Sequence, residues 1–343
     1  MTTKRLGFFT RLLDDAPAAT RYSNAIEQIQ AAERLGFDSA WVAQHHFHRD
    51  EGGLPSPLVF LSYAAAATER IRLGTGIITL PLENAIRVAE DAAVLDLLSG
   101  GRLEVGVGSG GTPSSFTGFG LESSDRTRIS ADNLAVILSA WAGRAIGHPD
   151  NVLYPPAPGL ADRVWQATFS VDGARRAGLA GDGLMLSRTQ PRSENSPNAS
   201  LSDIQNPIID AYLDALPSTS VPRIVGSRTL FVADDRARAR KFAAAGVPRA
   251  VGLLAPELRG GPPPTDLDEL ITRLDVHLGT VDDVLETLSR DTALARVTDI
   301  TFQVHSVDPP HRDVLRSLEL TAGQVAPELG WVNTALASSP SAS

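Results

Sequence analysis

Short runs of β-branched and other apolar residues alternate with longer stretches of helical period along most of the chain. This alternation predicts parallel strands joined by crossover helices. Eight strand–helix units of this kind close naturally into a (β/α)8 TIM barrel. An open doubly wound sheet fits the same pattern, but it typically has fewer strands. The predicted strands lie near residues 5–12, 39–45, 71–80, 103–109, 164–170, 183–188, 223–234 and 298–306.

The domain organisation follows from length and from the absence of a second composition zone. The chain has 343 residues, a length that α/β barrels commonly take as one domain. We therefore predict one α/β domain, a barrel with loop insertions, over residues 1–332. Small and polar residues predominate from Asn333 onward, which predicts a frayed tail over 333–343.

Composition excludes several function classes. The formal net charge of -9 argues against a nucleic-acid partner, because such partners select for positive charge. The chain has no cysteine, which excludes disulfides, thiolate metal sites and a thiol nucleophile. No apolar stretch reaches membrane-spanning length, and the start of the chain lacks a signal-peptide pattern. We expect a cytoplasmic enzyme that does not bind membranes.

The stretch SAWVAQHHF at 39–47 places two adjacent histidines at the carboxyl end of a predicted buried strand. Neighbouring side chains on a strand point to opposite faces, so at most one of His45 and His46 faces a pocket. The pair therefore supplies one candidate base and one candidate scaffold residue. Two ordinary polar residues at the start of a loop would have the same pattern.

A metal-dependent amidohydrolase is an alternative for this segment, with His46 and His48 on one face of the strand as ligands. Such a site needs further histidines from the fifth and sixth strands. None occurs between His148 and His277. We therefore expect no metal site.

Glycine-rich segments and one serine are further candidates. Gly74 and Gly76 either lower the barrel wall for a flat ring system or relieve crowding inside the barrel. The segment 103–116 is a strand that opens into a glycine-rich loop able to bind an anion, but its irregular spacing disfavours a Rossmann fingerprint. Ser170 stands at a predicted helix start, where a hydroxyl binds phosphate or simply caps the helix.

Five motifs follow one another at characteristic intervals. They are WVAQHHF at 41–47, GTGIITLP at 74–81, AEDAAVLDLLSGGR at 89–102, LEVGVGSG at 103–110 and GDGLMLSRTQP at 181–191. Together they resemble the bacterial luciferase-like flavin monooxygenases. The resemblance implies a TIM barrel that binds reduced FMN or, in another branch, coenzyme F420. FMN is preferred because the first and last motifs look closer to the FMN branch. Reduced FMN and O2 would form a flavin hydroperoxide that oxygenates a small organic substrate.

The resemblance also implies roles for individual residues. His45 takes the position of a general base near the flavin, a role that suits the ordinary near-neutral pKa of imidazole. Gly76–Ile77 takes the position of a cis peptide that cups the flavin ring. Arg128 and Ser170 take the positions of phosphate-binding residues, and Arg126 replaces Arg128 if the helix register shifts.

The chain departs from the luciferase pattern after the fourth strand. Luciferase has a cysteine and an arginine where this chain has Gly108 and Ser109, so one cationic phosphate anchor is missing. Arg188, at the end of the sixth strand, could replace it in the cofactor site. A substrate contact and a surface arginine are the other two interpretations of Arg188.

The resemblance further implies a homodimer and a separate flavin reductase that supplies the reduced cofactor. Luciferase relatives pair through helices beside the second and third strands, and the segment 56–69 is unusually apolar, although burial within the same chain would explain it equally well. Loops 109–125 and 189–203 should select the substrate, and Phe116 and Phe119 suggest an apolar pocket. A protein that binds flavin without turnover is the non-enzymatic alternative.

Overall fold

The computed structural model of the protein describes residues 4–193, 195–254, 262 and 264–331. Its centre is a set of ten strands, with these bounds: β1 Arg5–Thr10, β2 Ser39–Val42, β3 Arg72–Thr75, β4 Ile78–Thr79, β5 Leu103–Gly108, β6 Val164–Ala167, β7 Gly183–Leu186, β8 Ile224–Val232, β9 Val276–Gly279 and β10 Asp299–Gln303.

The strands close into a barrel. Within the described residues every named strand pairs in parallel, in the order β1, β2, β3, β5, β6, β7, β8 and β10, and β10 returns to pair with β1. The short β4 continues β3 after a break and pairs with β5, so the two fill one place in the wall. All eight predicted strands are therefore confirmed, and the fold is the predicted (β/α)8 TIM barrel.

Strand β9 was not predicted. It pairs with the carboxyl-terminal part of β8, at Thr229 to Val232, whereas the earlier part of β8 pairs with β10. The sequence VHLG at 276–279 is too short to show strand periodicity on its own. Because the wholly buried β8 is long, its carboxyl-terminal part extends beyond the residues that pair with β10, and β9 pairs with that part.

Helices surround the barrel, and the predicted helix over 86–98 is present as α3. Their bounds are α1 Ala18–Arg34, α2 Pro57–Ala66, α3 Ala85–Leu98, α4 Pro113–Gly118, α5 Arg126–Trp141, α6 Val171–Ala180, α7 Leu201–Ala215, α8 Arg236–Leu253, α9 Leu267–Arg273, α10 Val281–Ser289, α11 Thr292–Arg296, α12 His311–Leu320 and α13 Ala326–Glu328. In the described ranges none of them combines the length and apolarity needed to cross a bilayer. The tail predicted over 333–343 lies outside the described residues.

Two tryptophans fill the barrel interior. The rings of Trp41 and Trp165 meet edge to face with centroids 5.8 Å apart, and both side chains are buried. A Cβ on Gly74 would lie 2.2 Å from Cε3 of Trp41, and one on Gly183 would lie 2.3 Å from Cε3 of Trp165. Gly74 therefore relieves crowding inside the barrel, which is the second of its two interpretations.

Candidate active site

Because the barrel strands are parallel, the segments that follow their carboxyl ends meet at one end of the molecule, which we call the barrel mouth. Four cationic or titratable side chains come from these segments. They are Arg11 after β1, His45 after β2, Arg188 after β7 and His305 after β10.

The two adjacent histidines diverge as predicted. Nε2 of His45 lies 3.1 Å from Nη2 of Arg11, inside the mouth. His46 turns sideways, with Nε2 3.0 Å from Nε2 of Gln44 and its ring centroid 4.9 Å from that of Phe119. One histidine therefore faces the mouth, and the other packs beneath a loop.

Hydrogen bonding assigns the tautomer of His45. A guanidinium only donates, so Nε2 of His45 accepts from Arg11 and the ring proton lies on Nδ1. Burial lowers the pKa of His45 well below its ordinary value, and the positive charges of Arg11 and Arg188 lower it further. The expectation of a near-neutral pKa is therefore wrong. This neutral imidazole is a hydrogen-bond donor at Nδ1 and a weak base.

Arg11 is held close to His45 by the loop that follows β2. Its Nη2 donates to the carbonyl of Glu51 and to His45, while its Nε is buried without a partner. Burial lowers the pKa of Arg11 to about 10 against the opposing charges of Asp308 and Glu51. The backbone of Gly52 packs on the imidazole, because a Cβ there would lie 2.4 Å from Cδ2 of His45.

Arg188 lies inside the mouth and is only 7% exposed, so the interpretation as a surface arginine is wrong. Its Nη1 lies 3.3 Å from Oγ1 of Thr229 and 3.2 Å from Oγ of Ser306. These partners belong to β8 and to the segment after β10, so the guanidinium points away from Ser170, which follows β6. Burial lowers the pKa of Arg188 to about 9, with a further contribution from Arg11.

The one carboxylate that influences both arginines is already engaged. Oδ1 of Asp308 lies 2.5 Å from Nδ1 of His305, and Oδ2 accepts from Arg249. Burial would raise the pKa of Asp308, but His305 and Arg249 outweigh burial and lower it to about 2. Among the described residues, no three His, Asp or Glu side chains are arranged to hold a metal ion.

The opposite side of the mouth is formed by the segments after β3 and β5. The peptide bond between Gly76 and Ile77 is cis, as the resemblance implies. A Cβ on Gly76 would lie 2.5 Å from Cε2 of Phe9, and one on Gly108 would lie 2.5 Å from Cδ1 of Ile77. Only glycine at these two positions leaves the neighbouring side chains where they are.

The glycine-rich loop after β5 presents unused backbone donors. The N–H groups of Ser109, Gly110 and Gly111 have no acceptor within the described residues. Gly110 adopts a φ of 69°, a left-handed conformation that turns successive N–H groups toward one side. Ser170 is exposed at the start of α6, where its Oγ accepts from the N–H of Gly173 at 3.1 Å.

The predicted phosphate-binding arginines lie on the surface at the start of α5. Nη1 of Arg128 lies 3.2 Å from Oδ2 of Asp132, and Nη2 lies 3.6 Å from Oδ2 of Asp125. Arg126 is exposed and donates to the carbonyl of Ser123 at 3.1 Å. Both helix arginines stand on the same end of the barrel as Ser170, and their role at a phosphate stays a prediction.

A family profile described as luciferase-like monooxygenase matches residues 6–257, well over half of the chain. The chain belongs to this family. The five motifs that carry the resemblance all lie within the matched range.

Individual luciferase-like relatives match over part or all of the chain. Limonene 1,2-monooxygenase of Rhodococcus erythropolis is 30% identical over 188 residues, which cover 52% of this chain and 48% of that protein. The chain thus spans about half the length of such curated relatives. A monooxygenase from Streptomyces bottropensis has a similar crystal structure, with a TM-score of 0.77, 25% identity, and coverage of 95% of this chain and 99% of that chain.

Luciferase-like folds with different cofactors are also similar. The oxygenating constituent of 3,6-diketocamphane monooxygenase from Pseudomonas putida, solved in complex with FMN, has a TM-score of 0.71 and 18% identity, covering 95% of this chain and 99% of that chain. The coenzyme F420-dependent tetrahydromethanopterin reductase of Methanopyrus kandleri has a TM-score of 0.69 and 17% identity, with the same coverages. These two comparisons show the shared fold.

Sequence analysis missed several residues of the mouth: Arg11, Gln190, His305, Ser306 and Asp308. Apart from Asp308, each lies within or just after a predicted strand at its carboxyl end, the same signal that singled out His45. Applying that rule to every strand, rather than to the strand with paired histidines, would have found all of them except Asp308.

Proposed function

We propose that this luciferase-like protein is a flavin-dependent monooxygenase that uses reduced FMN and O2, through a flavin hydroperoxide, to oxygenate a small organic substrate. The observation that carries the proposal is the position of two features at one end of the barrel. A glycine-rich loop with unused N–H groups and the half-buried His45 lie at the same mouth of a closed barrel, in a chain of this family. The glycine-rich loop and the histidine therefore both follow barrel strands at the same end of the molecule.

The residues present fit FMN in shape and in chemistry. Gly76 and Gly108 let the side chains of Phe9 and Ile77 lie close against the backbone, which keeps this wall low for a flat ring. The N–H groups of 109–111, together with Ser170 and Arg128, could hold the phosphate. When bound, reduced FMN supplies the electrons that activate O2.

Side chains of the protein would orient the reactants and exclude water. His45 offers the Nδ1 proton as a hydrogen-bond donor, and Arg11 fixes the orientation of the ring. Phe47 and Phe119 are 69% and 43% exposed and pack against each other with ring centroids 6.0 Å apart. They could cover the mouth and keep water from the reaction. Phe116 is buried in its own loop, so of the two predicted pocket phenylalanines only Phe119 is available.

FMN is our first choice of cofactor, and coenzyme F420 is the alternative. The named curated relatives include monooxygenases that act on limonene and trigonelline, the latter described as flavin-dependent, which supports FMN. The fold itself is shared with F420 enzymes and does not discriminate between the two cofactors.

We further propose a cytoplasmic homodimer that receives reduced FMN from a separate reductase. The observation that supports the dimer is an exposed apolar surface on two helices that pack together, α2 and α3. Phe60, Leu61 and Ala64 of α2 face the barrel, whereas Val59 and Tyr63 are 73% and 68% exposed. We define the dimer face by the exposed side chains of Val59, Tyr63, Val94, Leu97 and Leu98.

Anaerobic titration of the purified protein with reduced FMN and reduced F420, followed by mixing with oxygenated buffer, tests the proposal. We expect preferential binding of FMN and a transient spectrum distinct from both oxidised and reduced flavin. Binding of FMN without such a transient would favour a flavoprotein without turnover. Preference for F420 would place the protein among the F420-dependent oxidoreductases.

A further inference from the structure

The strongest unexplained feature of the barrel mouth is a pair of guanidinium groups without a bonded counter-charge, the buried Arg188 and the half-buried Arg11. Arg11 follows β1 and Arg188 follows β7, and the positive charge of Arg11 contributes to the low pKa of Arg188. Among the described residues, neither forms an ion pair with a carboxylate. Burying a cation without a counter-charge costs free energy. An anion bound by the protein would supply the missing negative charge.

The hydrogen bonds of Arg188 define which edge is available. Its Nη1 is used by the hydroxyls of Thr229 and Ser306, both neutral groups. Within the described residues its Nε and Nη2 have no protein acceptor, and neither atom is fully buried, so solvent reaches them. The Nε–Nη2 edge carries two parallel N–H bonds, the geometry that a carboxylate accepts in a bidentate pair.

Polar groups nearby have unused capacity as well. Gln190 follows Arg188 by two residues and is fully buried, and neither atom of its side-chain amide has a partner. Nε of Arg11 is also buried without a partner. Buried polar atoms are normally hydrogen-bonded, so this concentration of unbonded atoms near two cations points to a polar ligand.

We infer that the substrate carries a carboxylate, which the Nε–Nη2 edge of Arg188 binds in the barrel mouth beside Arg11. The inference rests on the proposed function only where it calls the bound molecule the substrate. The anion site itself rests on the geometry alone. It assigns Arg188 to the substrate rather than to the phosphate of FMN. The direction of the guanidinium, toward β8 and β10 and away from Ser170, supports that assignment.

Matched neutral and anionic probes test the carboxylate site by binding, without turnover. Acetate, hexanoate and benzoate would each be compared with the corresponding amide by calorimetry on the full chain, at constant ionic strength. At least one carboxylate should bind roughly tenfold or more tightly than its amide. If no carboxylate of the series binds more tightly than its amide, the inference is wrong.

Three variants locate the site. Arg188→Met should abolish the preference for the carboxylate, and Arg188→Lys should retain only part of it, because lysine keeps the charge without the two-pronged edge. Arg290→Met removes an exposed arginine that pairs with Glu286 and should leave the preference intact. Arg188→Met should melt no lower than the wild type, since it removes an unpaired buried cation. A preference that survives in folded Arg188→Met would overturn the inference.

Flavin binding separates this inference from the proposed function. FMN and riboflavin, which lacks the phosphate, should each bind Arg188→Met as they bind the wild type. Weaker binding of FMN alone would show that Arg188 anchors the phosphate, and the inference would fail. A carboxylate preference in a protein that binds no flavin would leave the anion site standing and remove the monooxygenase proposal.

Discussion

At the scale of single residues, the roles of His45 and Arg128 in a flavin site can be separated by substitution. His45 accepts a hydrogen bond at Nε2 from Arg11 and keeps its proton on Nδ1, so its useful group is a donor. This arrangement differs from that of a general base, which needs a free lone pair and a pKa near the working pH.

We predict that His45→Ala abolishes oxygenation while flavin affinity stays within roughly tenfold, or ~1.4 kcal/mol. His45→Asn should recover part of the activity, because the amide N–H of asparagine lies near the position of the imidazole Nδ1–H. Product formation and flavin binding would be measured in parallel for both variants. Equal loss in His45→Ala and His45→Asn would instead indicate a base.

Arg128 is tested by the phosphate that distinguishes FMN from riboflavin. We predict that Arg128→Ala weakens FMN by about threefold to tenfold and leaves riboflavin unchanged, because the arginine is exposed and already paired with Asp132. Fluorescence titration with the two ligands measures the difference. Arg126→Ala tests the shifted helix register in the same way, and Arg290→Ala, which removes an exposed arginine paired with Glu286, is the control. Equal weakening of both ligands in Arg128→Ala would remove Arg128 from the phosphate site.

At the scale of elements, strand β3 is matched in detail to the tryptophan that lies over it. A Cβ on Gly74 would lie 2.2 Å from the Trp41 ring, which is itself packed against Trp165. We predict that Gly74→Ala lowers the free energy of unfolding by about 1–3 kcal/mol, because the ring cannot move aside. Urea unfolding measures the loss. Gly323→Ala at an exposed position after α12, where within the described residues no atom outside the local backbone lies within 4 Å of the added Cβ, should cause none.

Strand β9 carries a buried histidine that links stability to pH. Nδ1 of His277 lies 3.0 Å from Oγ1 of Thr287, and Nε2 is buried without a partner. Burial, helped by the charge of Arg228 and opposed by that of Asp291, lowers the pKa of His277 to about 4. Between pH 6.5 and 4 the unfolded chain therefore binds a proton that the folded protein does not.

We predict that this histidine alone lowers the free energy of unfolding by about 1 kcal/mol on going from pH 7.5 to pH 5.5. Its contribution is fully present above pH 6.5 and is lost as the pH falls. Urea unfolding of the wild type and of His277→Gln at both pH values measures the contribution as the difference between the two changes. The same change in both proteins would contradict the assignment.

At the scale of the whole molecule, we expect two copies of the chain to associate through the dimer face. Two glutamates introduced on this face should weaken that association. Val59→Glu with Leu97→Glu should raise the dissociation constant of the homodimer by at least about 30-fold, or ~2 kcal/mol, because two carboxylates would lose water at the interface. Sedimentation equilibrium measures it. Val221→Glu places the same charge on another exposed valine and should leave the mass unchanged. A monomeric wild type would remove the dimer from the proposal.

The sequence alone determined the barrel and the divergence of His45 and His46, whereas it left two interpretations of Gly74 open and the structure decided between them. These features follow from strand and helix periodicity, which is a local property that neighbouring residues express together. The family motifs lie on the same local elements, so they carry the fold and the general place of the site.

Only the tertiary structure decided the electrostatics of the barrel mouth. The low pKa values of His45 and Arg188 and the engagement of Asp308 depend on Arg11, Arg188 and His305, which are far apart in sequence. Strand β9 likewise exists because the far end of β8 offers it an edge. Charge and burial act through space, so a chain read residue by residue shows which groups carry chemistry but not what surrounds them.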